Sequence, residues 1–357
     1  MSRRNEMSKN AYERLAVALD TLPNGFAATP ARTELKLLEW IFSPDEACIA
    51  SHLTGKLESA DMIARRVGLE ADTLNSKLNK LVERRFVWKD TKGDKHRYRL
   101  APFVVGIYEA QMDEMDHEFA HLFEKYMADG GAAGIMKYEP AIHRVIPAHK
   151  AVKSEWILPY DDVKAILMKA NSFRLNDCIC RVEQEYIGRR CDFPIRSCLT
   201  FSSKERPANE SDITKPEALA FLDHVEEIGL VHTVSNTIQG IGYVCNCCGC
   251  CCAVLRGITD WGIANSVAHA NYYSSIDPDK CTECGTCIER CQVNAISEEN
   301  GIAIVDPRRC IGCGLCVTRC PSEAAELTRK QESEIVHPPI DYATWEKERT
   351  RNRGLEA

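Results

Sequence analysis

The sequence has no run of 18 apolar residues, so nothing in it reads as a membrane-spanning helix. It has no G-x-G-x-x-G or P-loop pattern following a strand, which leaves flavin, nicotinamide or ATP use through such loops without support. It has no marked excess of one charge: 45 Lys and Arg stand against 52 Asp and Glu, a net charge of −7. That balance gives no whole-chain case for binding nucleic acid or a membrane surface; a local patch is a separate matter. The opening, MSRRNEMSKNAYERLAVALD, is basic but leads into no apolar signal core, and the expected location is the cytoplasm. The first half of the chain also nearly lacks cysteine, with only Cys48 before position 178.

The rest of the 19 cysteines are crowded into the second half, at spacings of one to three residues within each run. Neighbours that close rarely have good disulfide geometry with one another. In a long chain of this kind their thiolates more plausibly hold metal. Residues 276–296, IDPDKCTECGTCIERCQVNAI, repeat as VDPRRCIGCGLCVTRCPSEAA at an offset of 29. Each copy reads C-x2-C-x2-C-x3-C, the run that holds two 4Fe-4S clusters in bacterial ferredoxins. Three cysteines wrap one cluster, and the fourth reaches the other. Cys281, Cys284, Cys287 and Cys320 are therefore expected around one cluster, and Cys310, Cys313, Cys316 and Cys291 around the second. Gln292 departs from the run: the second copy has Pro321 at that place.

Ten more cysteines precede the repeat: Cys178, Cys180, Cys191, Cys198, Cys245, Cys247, Cys248, Cys250, Cys251 and Cys252. The first four form C-x-C-x10-C-x6-C, enough for one 4Fe-4S cluster or one zinc ion. The last six lie in eight residues, CNCCGCCC. Two arrangements are open: each segment closes on itself with two thiols to spare, or the segments interleave. Adjacent cysteines point apart, so Cys247–Cys248 and Cys250–Cys251 are expected to serve different metals or faces. One or two further clusters are expected here; a thiol–disulfide relay is the competing reading. Arg181, Arg189, Arg190 and Arg196 lie nearby in sequence, either offsetting cluster charge or forming a solvated basic loop. His224, His232 and His269 receive no role, and Cys48 reads as a small buried hydrophobe.

The expected fold is multi-domain α+β. A winged helix-turn-helix is read over 30–105, a helix and connector over 106–150, and a cysteine-rich α+β domain over 151–272. A ferredoxin module follows over 273–328 and a charged tail, disordered or laid over a partner, over 329–357. In the winged helix, Ser59 and Gly68 bound one helix. The helix from Ala71, with Leu74, Leu78 and Leu81 on one face, would be the recognition helix. Lys89–Arg99 would be the wing, turning at Gly93–Asp94. Residues 33–100 hold 7 Lys and 6 Arg against 5 Asp and 6 Glu, an excess of only two, so DNA is not the favoured partner. Met115, Phe119, Leu122 and Tyr126 share a helical face, which suits the chain's own core or a homodimer through 107–128.

The landmarks APFVVGIYE, LPYDDVKAI, DCICR and CNCCGCCCAVLRG, with the paired cysteine runs, resemble a family of multi-domain 4Fe-4S dicluster proteins from anaerobic bacteria. The resemblance implies an iron–sulfur redox protein and brings no substrate. The function expected is electron transfer to or from a redox partner protein, as a component of an oxidoreductase. Alternatives are a redox-responsive winged-helix regulator, or a reductase using the CNCCGCCC thiolates.

Overall fold

The computed structural model describes residues 3–93, 95–158 and 160–355. Asp94 of the expected turn and Pro159 of LPYDDVKAI lie outside the described residues. The chain forms two compact units, 1–135 with 349–357, and 136–348. Among the described residues, no helix is long and apolar enough to cross a membrane.

In the first unit, α1 (Arg3–Asp20), α2 (Thr33–Ile41) and α3 (Pro44–Ala50) precede β1 (Glu58–Ser59), α4 (Ala60–Val67), α5 (Ala71–Glu83), β2 (Val87–Lys92), β3 (Lys95–Leu100) and α6 (His117–Tyr126). Local chemistry sets these boundaries. The Ser59 hydroxyl caps α4 by accepting from the Met62 amide, and Gly68 closes it at φ 75°. Ser43 and Glu46 form a capping box on α3. The sheet runs β1-β3-β2, all antiparallel. Leu74, Leu78 and Leu81 of α5 are buried, as their spacing predicts. Phe119 and Phe123 of α6 pack with Trp40 and Tyr108. Met115 and Tyr126 are buried with them, so the α6 stripe lies in the chain's own core.

After α7 (Ala132–Met136), the second unit holds β4 (His143–Ile146), α8 (Val163–Met168), β5 (Ser172–Asp177), α9 (Ile179–Tyr186), β6 (Arg196–Ser202), β7 (Asp212–Ile213), α10 (Lys215–Ile228), β8 (Val231–Ser235), β9 (Tyr243–Cys247) and α11 (Ala253–Thr259). Then come β10 (Tyr272–Ile276), α12 (Thr286–Glu289), β11 (Ile296–Glu299), β12 (Ile302–Val305), β13 (Ala325–Arg329) and α13 (Tyr342–Asn352). Thr214 caps α10, Pro216 sits in its first turn, and Gly229 ends it at φ 97°. Strands β4-β8-β9-β6-β5-β7 make one antiparallel sheet.

That sheet is buried on both faces, and the period of two sorts its side chains. Ile146, Leu199, Val234 and Val244 face Val163 and Leu167 of α8 and Ala218 and Leu222 of α10. Val145, Val231 and Cys247 pack instead with Leu255 of α11 and with Val293, Ala295, Ile311 and Leu315 of the cysteine-run segment. In that segment β10 pairs with β13, Ile276 opposite Ala325, which ties the start of the first run to the end of the second.

The described part of the tail, 329–355, is held by hydrogen bonds to its own chain. Within the second unit, Ile238 and Gln239 amides donate to Pro339 and Ile340 carbonyls, and buried Trp345 donates to the Ala141 carbonyl at 2.9 Å. Within the first unit, the buried Arg349 guanidinium donates to the carbonyls of Pro23, at 2.8 Å, and Ile135. Buried donors satisfied in this way hold a segment that its charged composition marks as loose.

Leu78 is fully buried between α5 and its neighbours. Leu78→Ala is expected to cost about 2–5 kcal/mol, read from chemical denaturation of the full chain; an unchanged midpoint would contradict the packing of α5.

Candidate metal centres

The second unit brings its cysteines together in four places. Cys281, Cys284, Cys287 and Cys320 line one pocket. Cys291, Cys310, Cys313 and Cys316 line a second. Each set takes three cysteines from one run and one from the other, the exchange expected from the spacing. Gly285 and Gly314, at equivalent places in the two runs, both sit at φ 73°, where a side chain would be strained. Donors converge on the sulfurs. The Ala295 amide donates to Cys291 Sγ at 3.1 Å and the Ala325 amide to Cys320 Sγ at 3.4 Å. Ser274 Oγ lies 3.0 Å from Cys316 Sγ. Four thiols facing one pocket, with hydrogen bonds that favour thiolate, fit a 4Fe-4S cluster in each place. Burial pushes the Cys316 thiol up to about 12, a cost that metal binding has to offset.

The ten middle cysteines do not divide by segment. Cys191 leaves its sequence neighbours and joins Cys248, Cys250 and Cys251, with all four sulfurs within 4.8 Å of one another. The remaining six form a linked series through sulfur contacts. Cys178 meets Cys180, Cys180 meets Cys252, and Cys252 meets Cys247. Cys247 then meets Cys245, and Cys245 meets Cys198. The two segments thus interleave. Strand geometry explains the split: Cys245 and Cys247 lie two apart on β9, hence on one face, with Cys198 directly opposite Cys245 on β6. Cys247 and Cys248 do go to different groups, whereas Cys250 and Cys251 share one. A turn over residues 249–251 carries Cys250 and Cys251.

Arg181 is buried between the two groups. Its guanidinium donates to Ser197 Oγ and to the Asn246 carbonyl at 3.0 Å, and it hydrogen-bonds Cys248. Burial works against its charge, but the Cys178, Cys248 and Cys247 thiols outweigh that and raise its pKa. Cys247 accepts hydrogen bonds from Cys245 and Cys252, which hold its thiol below the usual range. Arg189 and Arg190 are exposed in the loop after α9, and Arg196, also exposed, starts β6 and donates to the Leu175 carbonyl at 3.0 Å. His232 is a satisfied core residue, bonded to Asn246 at 2.7 Å and Glu226 at 3.2 Å. Cys48 is half-buried on α3.

Sequence reasoning flagged Gln292 as a departure but did not find its role. Its Oε1 accepts from the Gly249 amide at 2.8 Å, and its Nε2 donates to the Gly229 carbonyl at 2.9 Å. A proline, as at Pro321, has neither group. The side chain therefore fastens the first cysteine run to the CNCCGCCC loop. Arg290 adds to this join by donating to the carbonyls of Glu226 and Glu227.

Residues 273–321 match the family described as a 4Fe-4S dicluster domain. The matched stretch spans all eight cysteines of the two runs and none of the other eleven. No curated protein matches the chain. The match supports an iron–sulfur protein.

A Cβ on Gly249 would stand 1.9 Å from the Gln292 carbonyl oxygen. Gly249→Ala is therefore expected to destabilise the protein more than Gln292→Ala, which loses two hydrogen bonds at about 1–3 kcal/mol in all. Denaturation under argon measures both; a Gly249→Ala protein as stable as the parent would mean that the loop and the run do not touch.

Proposed function

We propose that the protein carries single electrons between a redox partner protein and the thiol-rich centre on β9. Bound iron–sulfur clusters supply reversible one-electron chemistry. The two ferredoxin-type sets would hold two 4Fe-4S clusters, and the six linked thiols of Cys178, Cys180, Cys198, Cys245, Cys247 and Cys252 a further centre. One observation carries this reading: Cys247 and Cys252 are buried in the same apolar cluster against which Cys245, Cys291, Cys310 and Cys313 pack. No layer of solvent has to separate the β9 thiols from the second ferredoxin-type set.

The two ferredoxin-type sets differ in access. Cys284 is exposed, whereas Cys316 is buried. The Cys281 set is then the face on which a partner exchanges electrons, and the Cys291 set the intermediate. Gln292, next to Cys291, holds the last gap closed against Gly249. Iron and labile-sulfide analysis of anaerobically prepared protein, with an EPR redox titration, tests the scheme. More than eight irons per chain, in at least three one-electron centres, is the expected result. About eight irons in two centres would remove the β9 centre. Zinc or bare thiols at the paired runs would remove the whole scheme.

A second reading rests on the first unit. The order α4, α5, β2, β3, with β1 joining the hairpin, is that of a winged helix. Lys80 of α5 and Lys89, Lys92, Lys95 and Arg97 of the hairpin are exposed. On this reading the protein is a redox-responsive regulator. Gel shifts with its own upstream DNA, reduced and oxidised, decide the matter. Electron transfer alone predicts no shift, and a salt-sensitive, sequence-specific complex would favour the regulator.

A further inference from the structure

We infer that Cys191, Cys248, Cys250 and Cys251 bind one metal ion directly, as a tetrahedral site of four thiolates, and not an iron–sulfur cluster. The spacing of the sulfurs carries the inference. Cys191 Sγ lies 3.7 Å from Cys248 Sγ and 3.5 Å from Cys251 Sγ, and Cys251 Sγ lies 3.8 Å from Cys250 Sγ. A tetrahedral ion with metal–sulfur bonds of about 2.3 Å places its sulfurs about 3.8 Å apart. A cubane cluster binds each thiolate through a different iron, at outward corners, so its cysteines must stand back around a larger body. Among the described residues the Cys191 set is the group whose sulfurs all lie within 4.8 Å of one another; neither ferredoxin-type set draws its four sulfurs that close.

The surroundings fit a closed structural site. Cys248 and Cys251 are buried against Val225 and Leu230, with Phe193 and Phe221 packed on the same cluster. Cys250 alone of the four is exposed. Four thiolates are a soft, all-sulfur donor set, which selects zinc or a single iron over hard cations. Such an ion with four thiolates carries a net charge of minus two, and Arg181 at Cys248 offsets part of it. The ion would pin the turn through Gly249 that meets Gln292, and would join the loop after α9 to the loop after β9. The inference stands apart from the electron-transfer reading, because the paired runs can load with iron whether or not this site holds an ion.

Elemental and sulfide analysis of the full-length, anaerobically prepared protein, with X-ray absorption at the zinc edge, tests it. One zinc per chain is expected, with four sulfurs at about 2.3 Å and no metal neighbour. Cys191→Ser is expected to lose that zinc while iron and sulfide stay unchanged. Cys250→His, at the exposed corner, is expected to keep the ion with one nitrogen replacing one sulfur. Loss of one iron without sulfide in Cys191→Ser would also support a single-ion site and would name the metal as iron. Loss of several irons with matching sulfide, or no metal at these four thiols in the parent protein, would overturn it. Failure of the electron-transfer reading shows separately, as absent iron and sulfide at the paired runs.

Discussion

The alternation of side chains along β9 is the constraint on which the second unit depends. A strand in a sheet covered on both sides must send its residues to two different interiors. Val244 joins the aliphatic layer under α8 and α10, and Asn246 meets His232 on that side. Cys245 and Cys247 turn to the other side, where the cysteine runs and α11 cover them. A single-residue slip would exchange the two sets, placing thiols among aliphatic side chains and valine among sulfurs. The pairing of Cys198 with Cys245 and of Val231 with Cys247 fixes the register against that slip.

Local signals in the sequence reach far in the first unit. Ser59, Gly68 and the Leu74–Leu78–Leu81 spacing each act within a turn or two, so α4 and α5 follow from neighbours alone. The same holds for α10 between Thr214 and Gly229. The exchange of Cys291 and Cys320 between sets was legible for a different reason: the repeat encodes it twice. The middle cysteines were not legible, because their partition rests on sequence-distant pairings. Cys198 finds Cys245 only through the β6–β9 ladder, and Cys191 reaches Cys248 only once α9 has been placed. The anchoring of the tail was hidden for a related reason. Its composition is that of a loose segment, and two side chains, Trp345 and Arg349, overrule it.

Gln292 shows how a departure from a repeat can carry more information than the repeat itself. Proline after the fourth cysteine serves the turn alone. Glutamine gives up that rigidity and gains a donor and an acceptor, both used on backbone groups of other segments. Gly249 answers it, since any side chain there would collide with the Gln292 carbonyl. The two residues make sense only together, and neither stands out as a ligand.

Electrostatics sets the remaining problem, because so many thiols share one interior. Two unit charges 4 Å apart interact by about 4 kcal/mol at an effective dielectric of 20. A thiolate cannot be added there without a nearby cation or a proton. Arg181 is the buried cation that touches both middle groups among the described residues. Its fork suits the place better than a lysine ammonium: separate nitrogens serve Ser197 and the Asn246 carbonyl, which fixes the plane, while the charge stays delocalised toward both sulfur groups. With its position held by those two anchors, it cannot follow a charge change at one group by moving away from the other. The counter-charge for both sulfur groups is thus built into the fold, and DCICR places that arginine next to the cysteines whose charge it offsets.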